Sequence, residues 1–255
     1  GGDIVNKAVR IGAIVLGAIL AAALVIFIFF PGLPTYAYVK FKYKNIDKTA
    51  GRFETAAVSD DYAEHTINGV TLKAPQSYVQ ENSTSSALKS EKGAIMVIRN
   101  SADYLKKAKE MLGEYDPWDG YKYSESDYRS YFDAAGSPYP FDADGCRDVL
   151  WYYRTKLRSS DCIKLRGKDL AVFREFAGNK DISMKIEDTW LLEMDGATAY
   201  VCHMNDHDID EVKIGDSDLW TVTIYPDGAD HEYFVMLRDL REETAKQVIS
   251  SVRID

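Results

Sequence analysis

The sequence predicts an α+β fold: an antiparallel sheet of about six strands with helices packed on it and a closing C-terminal helix, preceded by one transmembrane helix. Three observations predict it. Ile11 to Phe30 is an uncharged apolar run of 20 residues. Two hairpin signals follow one another between Thr189 and Arg238. An amphipathic stripe then closes the chain.

The apolar run comes first. A helix of that length rises about 30 Å, the thickness of a bilayer's hydrocarbon core. Ile11, Val15, Leu20, Phe27 and Phe30 mark its extent as a membrane anchor. A cleaved signal peptide fits less well, because Leu24 to Phe30 continues the apolar run past Ala21-Ala22-Ala23. A buried core helix would carry a polar face, and this run has none. Pro31, Gly32 and Pro34 stop it. Residues 1–10 form an N-terminal flank, residues 31–53 a stalk rich in Pro, Lys and Tyr, and residues 54–255 an acidic α+β domain with a helical section at about 114–185.

Within the stalk, Tyr36 to Asn45 alternates. Ala37, Val39, Phe41 and Tyr43 share one side and Lys40, Lys42 and Lys44 the other, which reads as extended chain or an edge strand. Val70 to Lys73 reads as a strand ended by Pro75. Ala94 to Ile98 reads as a strand buried on both faces. Ser101 reads as the cap of a helix bearing Tyr104, Leu105, Ala108 and Met111. Asp144 caps a helix through Leu157, and Leu170, Phe173 and Phe176 mark another that ends at Gly178.

The C-terminal third is more regular. Thr189 to Met194, Asp195-Gly196 and Ala197 to Met204 form a hairpin. A two-residue turn sets Met194 opposite Ala197, Leu192 opposite Ala199, Trp190 opposite Val201 and Asp188 opposite His203. Both faces are largely apolar, so both are expected to be covered. Leu219 to Tyr225 and Glu232 to Arg238 form a second hairpin around Pro226-Asp227-Gly228. The last helix is expected to start at Asp239, with Glu242 completing a capping box and Leu240, Ala245, Val248, Ile249 and Val252 as its stripe.

Gly69 to Pro75, Ala94 to Arg99 with a following helix, the two hairpins and the ending Ala245-Lys246-Gln247-Val248-Ile249-Ser250-Ser251-Val252 together resemble PsbP-like domains. The resemblance covers about half of the region from Ile67 onward, and residues 114–185 depart from it. It implies a non-catalytic binding or scaffold domain and carries over no catalytic residue.

Charge narrows the partners. The chain carries −9 overall; residues 1–10 hold +1 and residues 40–53 hold +4, leaving −14 from Glu54 onward. So acidic a domain repels phosphate backbones, and a nucleic-acid partner is excluded. The basic stretch beside the anchor fits either anionic lipid headgroups or a solvated linker. Counting Lys and Arg on each side of the anchor puts the domain in the cytoplasm. The size and acidity of the domain argue for export, and the expectation is a single-pass protein of the cell membrane with its domain extracytoplasmic.

Two constellations are candidates for chemistry. His203 and His207, with Asp206 and Asp208, are imidazoles and carboxylates close enough in sequence to hold a divalent metal, the one cofactor the sequence suggests, for a metal-assisted hydrolase; the rival reading is a solvated acidic loop. Trp118, Tyr121 and Tyr123, interleaved with Asp116 and Asp119, suit a protein, peptide or cell-wall ligand; the rival is a small aromatic core. Cys202 and His203 are adjacent and point to opposite faces of a strand, so they form no nucleophile–base pair. Cys146 and Cys162 are close enough in sequence to form a bridge. No Walker loop, dinucleotide fingerprint, nucleophile elbow or zinc-protease motif is present.

Overall fold

The computed structural model describes residues 2–101, 122–136, 152, 154–204, 218–229 and 231–254. Its contacts divide the chain into two units, Gly1–Asp47 with Gly120–Pro140 and Leu157–Asp181, and Lys48–Asp119 with Phe141–Lys156 and Ile182–Asp255.

The first unit is helical. Helix α1 runs Gly2–Phe29 and contains the whole apolar run up to Phe29. Pro31 and Gly32 break it, and α2 begins at once, Leu33–Lys42, with Pro34 in its first turn where a missing amide costs nothing. The period-two pattern of Tyr36 to Asn45 therefore does not make a strand. Thr35 and Val39, four residues apart, are buried on one face of α2. That face is held from outside, where Arg174 Nη2 donates to Thr35 Oγ1 at 2.7 Å, and just past the helix Asp181 Oδ1 accepts the Asn45 amide at 2.8 Å. Tertiary bonds override a weak local preference.

Helix α3, Glu125–Ala135, starts where Asp127 accepts both the amide (3.0 Å) and the hydroxyl (2.7 Å) of Ser124. It stops at Gly136, whose φ of 66° suits a residue without a Cβ. A 3-10 turn at Ser159–Cys162 leads into α4, Gly167–Ile186. The expectation that this helix ends at Gly178 is corrected, because Gly178 lies in its interior. A Cβ there would stand 3.4 Å from the Tyr43 hydroxyl, an ordinary contact, and the helix runs on through this glycine to Ile186. Tyr128, Tyr131, Phe132, Phe173 and Phe176 are buried, with rings of Tyr128 and Phe176 stacked at 5.5 Å.

The second unit is built on a sheet of eight strands in the order β1-β7-β8-β9-β10-β6-β5-β4. These are β1 (Gly51–Arg52), β4 (Val79–Gln80), β5 (Ala87–Ser90), β6 (Gly93–Ser101), β7 (Glu187–Met194), β8 (Ala197–Met204), β9 (Leu219–Pro226) and β10 (His231–Arg238). Among the described residues only β1 and β7 pair in parallel. A second sheet, β11-β3-β2, joins β2 (Tyr62–Ile67), β3 (Val70–Pro75) and β11 (Arg253–Ile254). The fold is α+β as expected, with more strands than the six read from sequence.

The β7–β8 register matches the expectation at each pair: Met194 with Ala197, Leu192 with Ala199, Trp190 with Val201 and Asp188 with His203. The β9–β10 hairpin is also as read. Coverage of the two faces differs from expectation. Leu192, Ala199 and Val201 are buried in the core, whereas Leu191 on the opposite face is 38% exposed. Similarly, β6 buries Ile95 and Val97 but turns Met96 outward. One long face is therefore packed and the other is covered only in part.

Helix α5, Glu242–Ser250, closes the unit by placing Ala245, Val248 and Ile249 in the same core as Val70, Leu72, Val222 and Val235. Its start is later than the capping-box reading. Asp239 has φ 60° and its amide donates to Asp218 O at 2.8 Å, so it belongs to the turn off β10. Glu242 pairs with Lys246 one turn on, at 2.6 Å. Hydroxyls tie the far end down: Ser250 accepts the Ala56 amide and Ser251 the Lys73 amide, both at 2.8 Å. The helix expected after Ser101 and most of that expected from Asp144 lie outside the described residues; Tyr152, Arg154 and Thr155 are helical.

Candidate functional site

Three places carry the residues singled out by the sequence. The first is the membrane-length helix. Ile11–Phe29 is 19 residues with a mean hydropathy of 3.0, and nothing in the structure buries it. Ile11, Val15, Leu20 and Phe27 are each more than half exposed, and Phe30 is 42% exposed. The helix is long and apolar enough to cross a membrane.

The end of this helix is held in a defined way. Gly32 donates its amide to Ile163 O at 2.9 Å, and Arg166 Nη2 donates to Ile28 O at 2.8 Å. The guanidinium thus satisfies a last-turn carbonyl and lies at the negative end of the helix dipole. A Cβ on Gly32 would fall 1.6 Å from the Cys162 carbonyl oxygen, so only glycine permits this approach. Cys162 is a free, buried thiol that donates to Ser159 O at 3.2 Å. The Cys146–Cys162 bridge allowed by their spacing is not formed at Cys162. Burial pushes the Cys162 thiol up to about 12, which keeps it protonated and inert.

The second place is the aromatic section. Tyr123 is half-buried and meets Tyr128 edge-on at 6.2 Å. Tyr128, Tyr131 and Phe132 belong to the core of the first unit, where Tyr128 also donates its hydroxyl to Glu175 Oε1 at 3.1 Å. Tyr128, Tyr131 and Phe132 are therefore packing residues, and Tyr123 lies at their partly exposed edge. Asp116, Trp118, Asp119 and Tyr121 lie outside the described residues.

The third place is the β8 end. His203 Nε2 donates to Asp218 Oδ1 at 2.6 Å, and the ring lies flat on Trp220, with centroids 3.8 Å apart and planes at 12°. Trp190 stacks on Trp220 at 5.8 Å. The register sets Asp188 opposite His203, but the imidazole nitrogen reaches the carboxylate that precedes β9. Asp206, His207 and Asp208 lie outside the described residues, and no group of three metal-ligating side chains occurs among the described ones.

On the outer face of the same sheet sits a polar cluster that sequence reasoning missed. Arg154, 6% exposed, pairs with Glu187 at 2.6 Å and donates through Nη1 to Cys202 Sγ at 3.2 Å; Thr189 Oγ1 lies 3.4 Å from the same sulfur. Burial raises the Glu187 carboxyl, which Arg154 opposes. Burial also raises the Cys202 thiol, so it is no nucleophile at neutral pH. Arg154 gave no signal because nothing in the sequence near it alternates with Glu187 or Cys202. Lys180 was missed for the same reason. It is fully buried in the first unit and donates to Leu157 O at 2.6 Å. Burial, reinforced by the nearby Arg158, pulls its ammonium down to about 8, against the partial support of Asp47 and Asp161.

Compared with known proteins, the chain matches no family model, and no curated protein is significantly similar to it.

Proposed function

We propose that this is a single-pass membrane protein whose acidic α+β domain is a non-enzymatic interaction module held outside the cytoplasm. The observation that carries the reading is the uncovered apolar length of α1, Ile11–Phe29, followed at once by a helix docked on its own domain. Support for a non-catalytic role comes from the two reactive side chains that neighbour each other in sequence. Cys202 is tied to Arg154 and raised by burial; His203 is stacked on Trp220 and bonded to Asp218. The likeness to PsbP-like domains enters on the same side, as a scaffold rather than an enzyme. Trp118, Tyr121 and Tyr123, with Asp116 and Asp119, are the proposed contact residues for a protein, peptide or cell-wall ligand.

Two measurements test this. Protease added to intact cells cleaves the domain if it is outside; protection until lysis reverses the topology. A photo-crosslinking residue at position 118 captures a partner in cells, and Trp118→Ala, Tyr121→Ala and Tyr123→Ala together abolish binding while leaving the fold intact. If the triple variant unfolds instead, these rings are core and the site is wrong.

A cytoplasm-facing adaptor is the second reading. It is favoured by Lys40, Lys42 and Lys44 on α2 and its end and by Arg166 at the α1 exit, an excess of positive charge directly beside the span.

A further inference from the structure

Among the described residues the outer face of α2 is left exposed, apart from the Tyr38 ring, which meets Arg174 at 6.0 Å and Tyr43 at 6.3 Å, and its composition is specific. Thr35 and Val39 face inward. At 100° per residue, Leu33, Ala37 and Phe41 form the row opposite them, with Pro34 and Tyr38 alongside. All five are exposed, and Phe41 is 92% exposed. Lys40 flanks the row on one side and Lys42 on the other, and Lys44 follows the helix. An exposed Phe so complete, on a helix otherwise well docked, is not explained by packing.

Position says what covers it. The apolar run of α1 ends at Phe30, and α2 starts at Leu33. The turn between them is fixed to the 3-10 segment through Gly32 and Ile163, and Arg166 is bonded to the last turn of α1. If α1 spans the bilayer, α2 therefore begins at headgroup level. There an apolar stripe flanked by lysines lies in the interface, with rings at the acyl boundary and ammonium groups reaching phosphates. Carboxylates that would oppose such contact are engaged internally. Asp47 is paired with Lys40 and accepts both the amide and hydroxyl of Ser159, and Asp161 accepts the Arg158 amide at 2.7 Å. Lys42 donates to the Tyr38 hydroxyl at 2.8 Å and keeps its charge, since that bond raises its ammonium further. Lys44 has no ion pair among the described residues. The region from Glu54 onward carries −14 and would be repelled by an anionic surface, so attraction is confined to this basic collar.

We infer that α2 is a second membrane-binding element, an interfacial helix that inserts Leu33, Ala37, Phe41 and Tyr38 at the acyl boundary and holds anionic lipid headgroups through Lys42 and Lys44. This rests on α1 being a membrane span. Its consequence is that the first unit is held against the bilayer surface rather than swinging on a stalk.

The test uses the full chain, with Cys146→Ala, reconstituted in vesicles of phosphatidylcholine with and without phosphatidylglycerol. Cys162 and Cys202 are buried and remain unlabelled. A nitroxide is placed at Phe41→Cys, or separately at Leu20→Cys, and its collisions with oxygen and with a water-soluble nickel chelate are compared. Expected is an oxygen-rich, nickel-poor label at both positions, with position 41 several-fold less nickel-accessible when phosphatidylglycerol is present. Lys42→Gln with Lys44→Gln removes that dependence on lipid charge. A nickel-accessible label at 41 beside an immersed label at 20 overturns the inference and leaves the span standing. Water at position 20 overturns the span itself. Spin–spin broadening at 41 that disappears on dilution with unlabelled chain assigns the stripe to a second copy and overturns the inference. Immersion independent of lipid charge removes the role given to the lysines.

Discussion

At the scale of single residues, two cations among the described residues, Arg154 and Lys180, are buried, and they behave differently. Arg154 has a carboxylate partner, Glu187, at 2.6 Å. Removing one partner of such a pair costs more than removing both, because the survivor is left buried and charged. Arg154→Met is expected to destabilise the second unit by about 3–5 kcal/mol. Arg154→Met with Glu187→Leu should recover most of that loss, as read by chemical denaturation. Equal losses from the single and double variants would sink the argument. Lys180 has a carbonyl, not a carboxylate, as its bonded acceptor. Its folded pKa of about 8 lies below the unfolded value, so the folded state binds fewer protons between the two. Its charge therefore costs stability in full below pH 8, and stability rises with pH from there towards the unfolded pKa of about 10.4. Lys180→Met is expected to gain on the order of 1 kcal/mol at neutral pH, screening and the lost bond allowed for, and to flatten that rise. A stability profile unchanged across that window would refute the assignment. At Gly32 the constraint is steric: Gly32→Ala meets the Cys162 carbonyl and should cost about 3 kcal/mol of the first unit's stability.

At the scale of elements, helix ends show which local signals survive tertiary competition. The Asp127 carboxyl is drawn down to about 2 by Lys168 and by both donors of Ser124. Its support for the start of α3 is present above the ordinary carboxylate pKa and is lost as pH falls through the folded value. Asp127→Asn should therefore weaken the start of α3 at neutral pH, with the difference from the parent shrinking in acid. Hydrogen exchange of the Asp127 and Tyr128 amides measures it. By contrast, Asp239 and Gly178 carry the right residue types for a cap and a stop and serve neither purpose. One is held in a left-handed turn by a bond to Asp218. The other lies in the interior of α4, which continues past it to Ile186. An Asn68-Gly69 pair with φ of 55° and 90° joins β2 to β3, as the preference of these two residues for positive φ favours.

At the scale of the whole chain, an apolar helix and an acidic domain impose opposite solvent requirements. Deleting residues 1–30 is expected to move the protein from the membrane fraction to the soluble fraction on carbonate extraction. Retention of the deletion variant in the membrane would show that another surface holds it, and α2 is where such a surface would be sought.

The sequence by itself determined the features set by short-range periodicity. These are the membrane-length helix, the β7–β8 hairpin with its pairing, the β9–β10 hairpin and the apolar stripe of α5. In each, a run of like residues recurs at one period over a whole element, so no distant partner is needed to recognise it. Tertiary structure alone decided the rest. The two-residue strands β1, β4 and β11 have too few residues to show a period and exist because a longer neighbour pairs with them. Tyr36 to Lys42 became helix because Arg174 and the 3-10 turn hold its inner face, against an alternating pattern. The Arg154–Glu187–Cys202 cluster and buried Lys180 join residues far apart in the chain, and long-range contact leaves no imprint on local spacing. The exposed face of α2 follows the same logic, since only docking of its inner face shows which residues are left for the membrane.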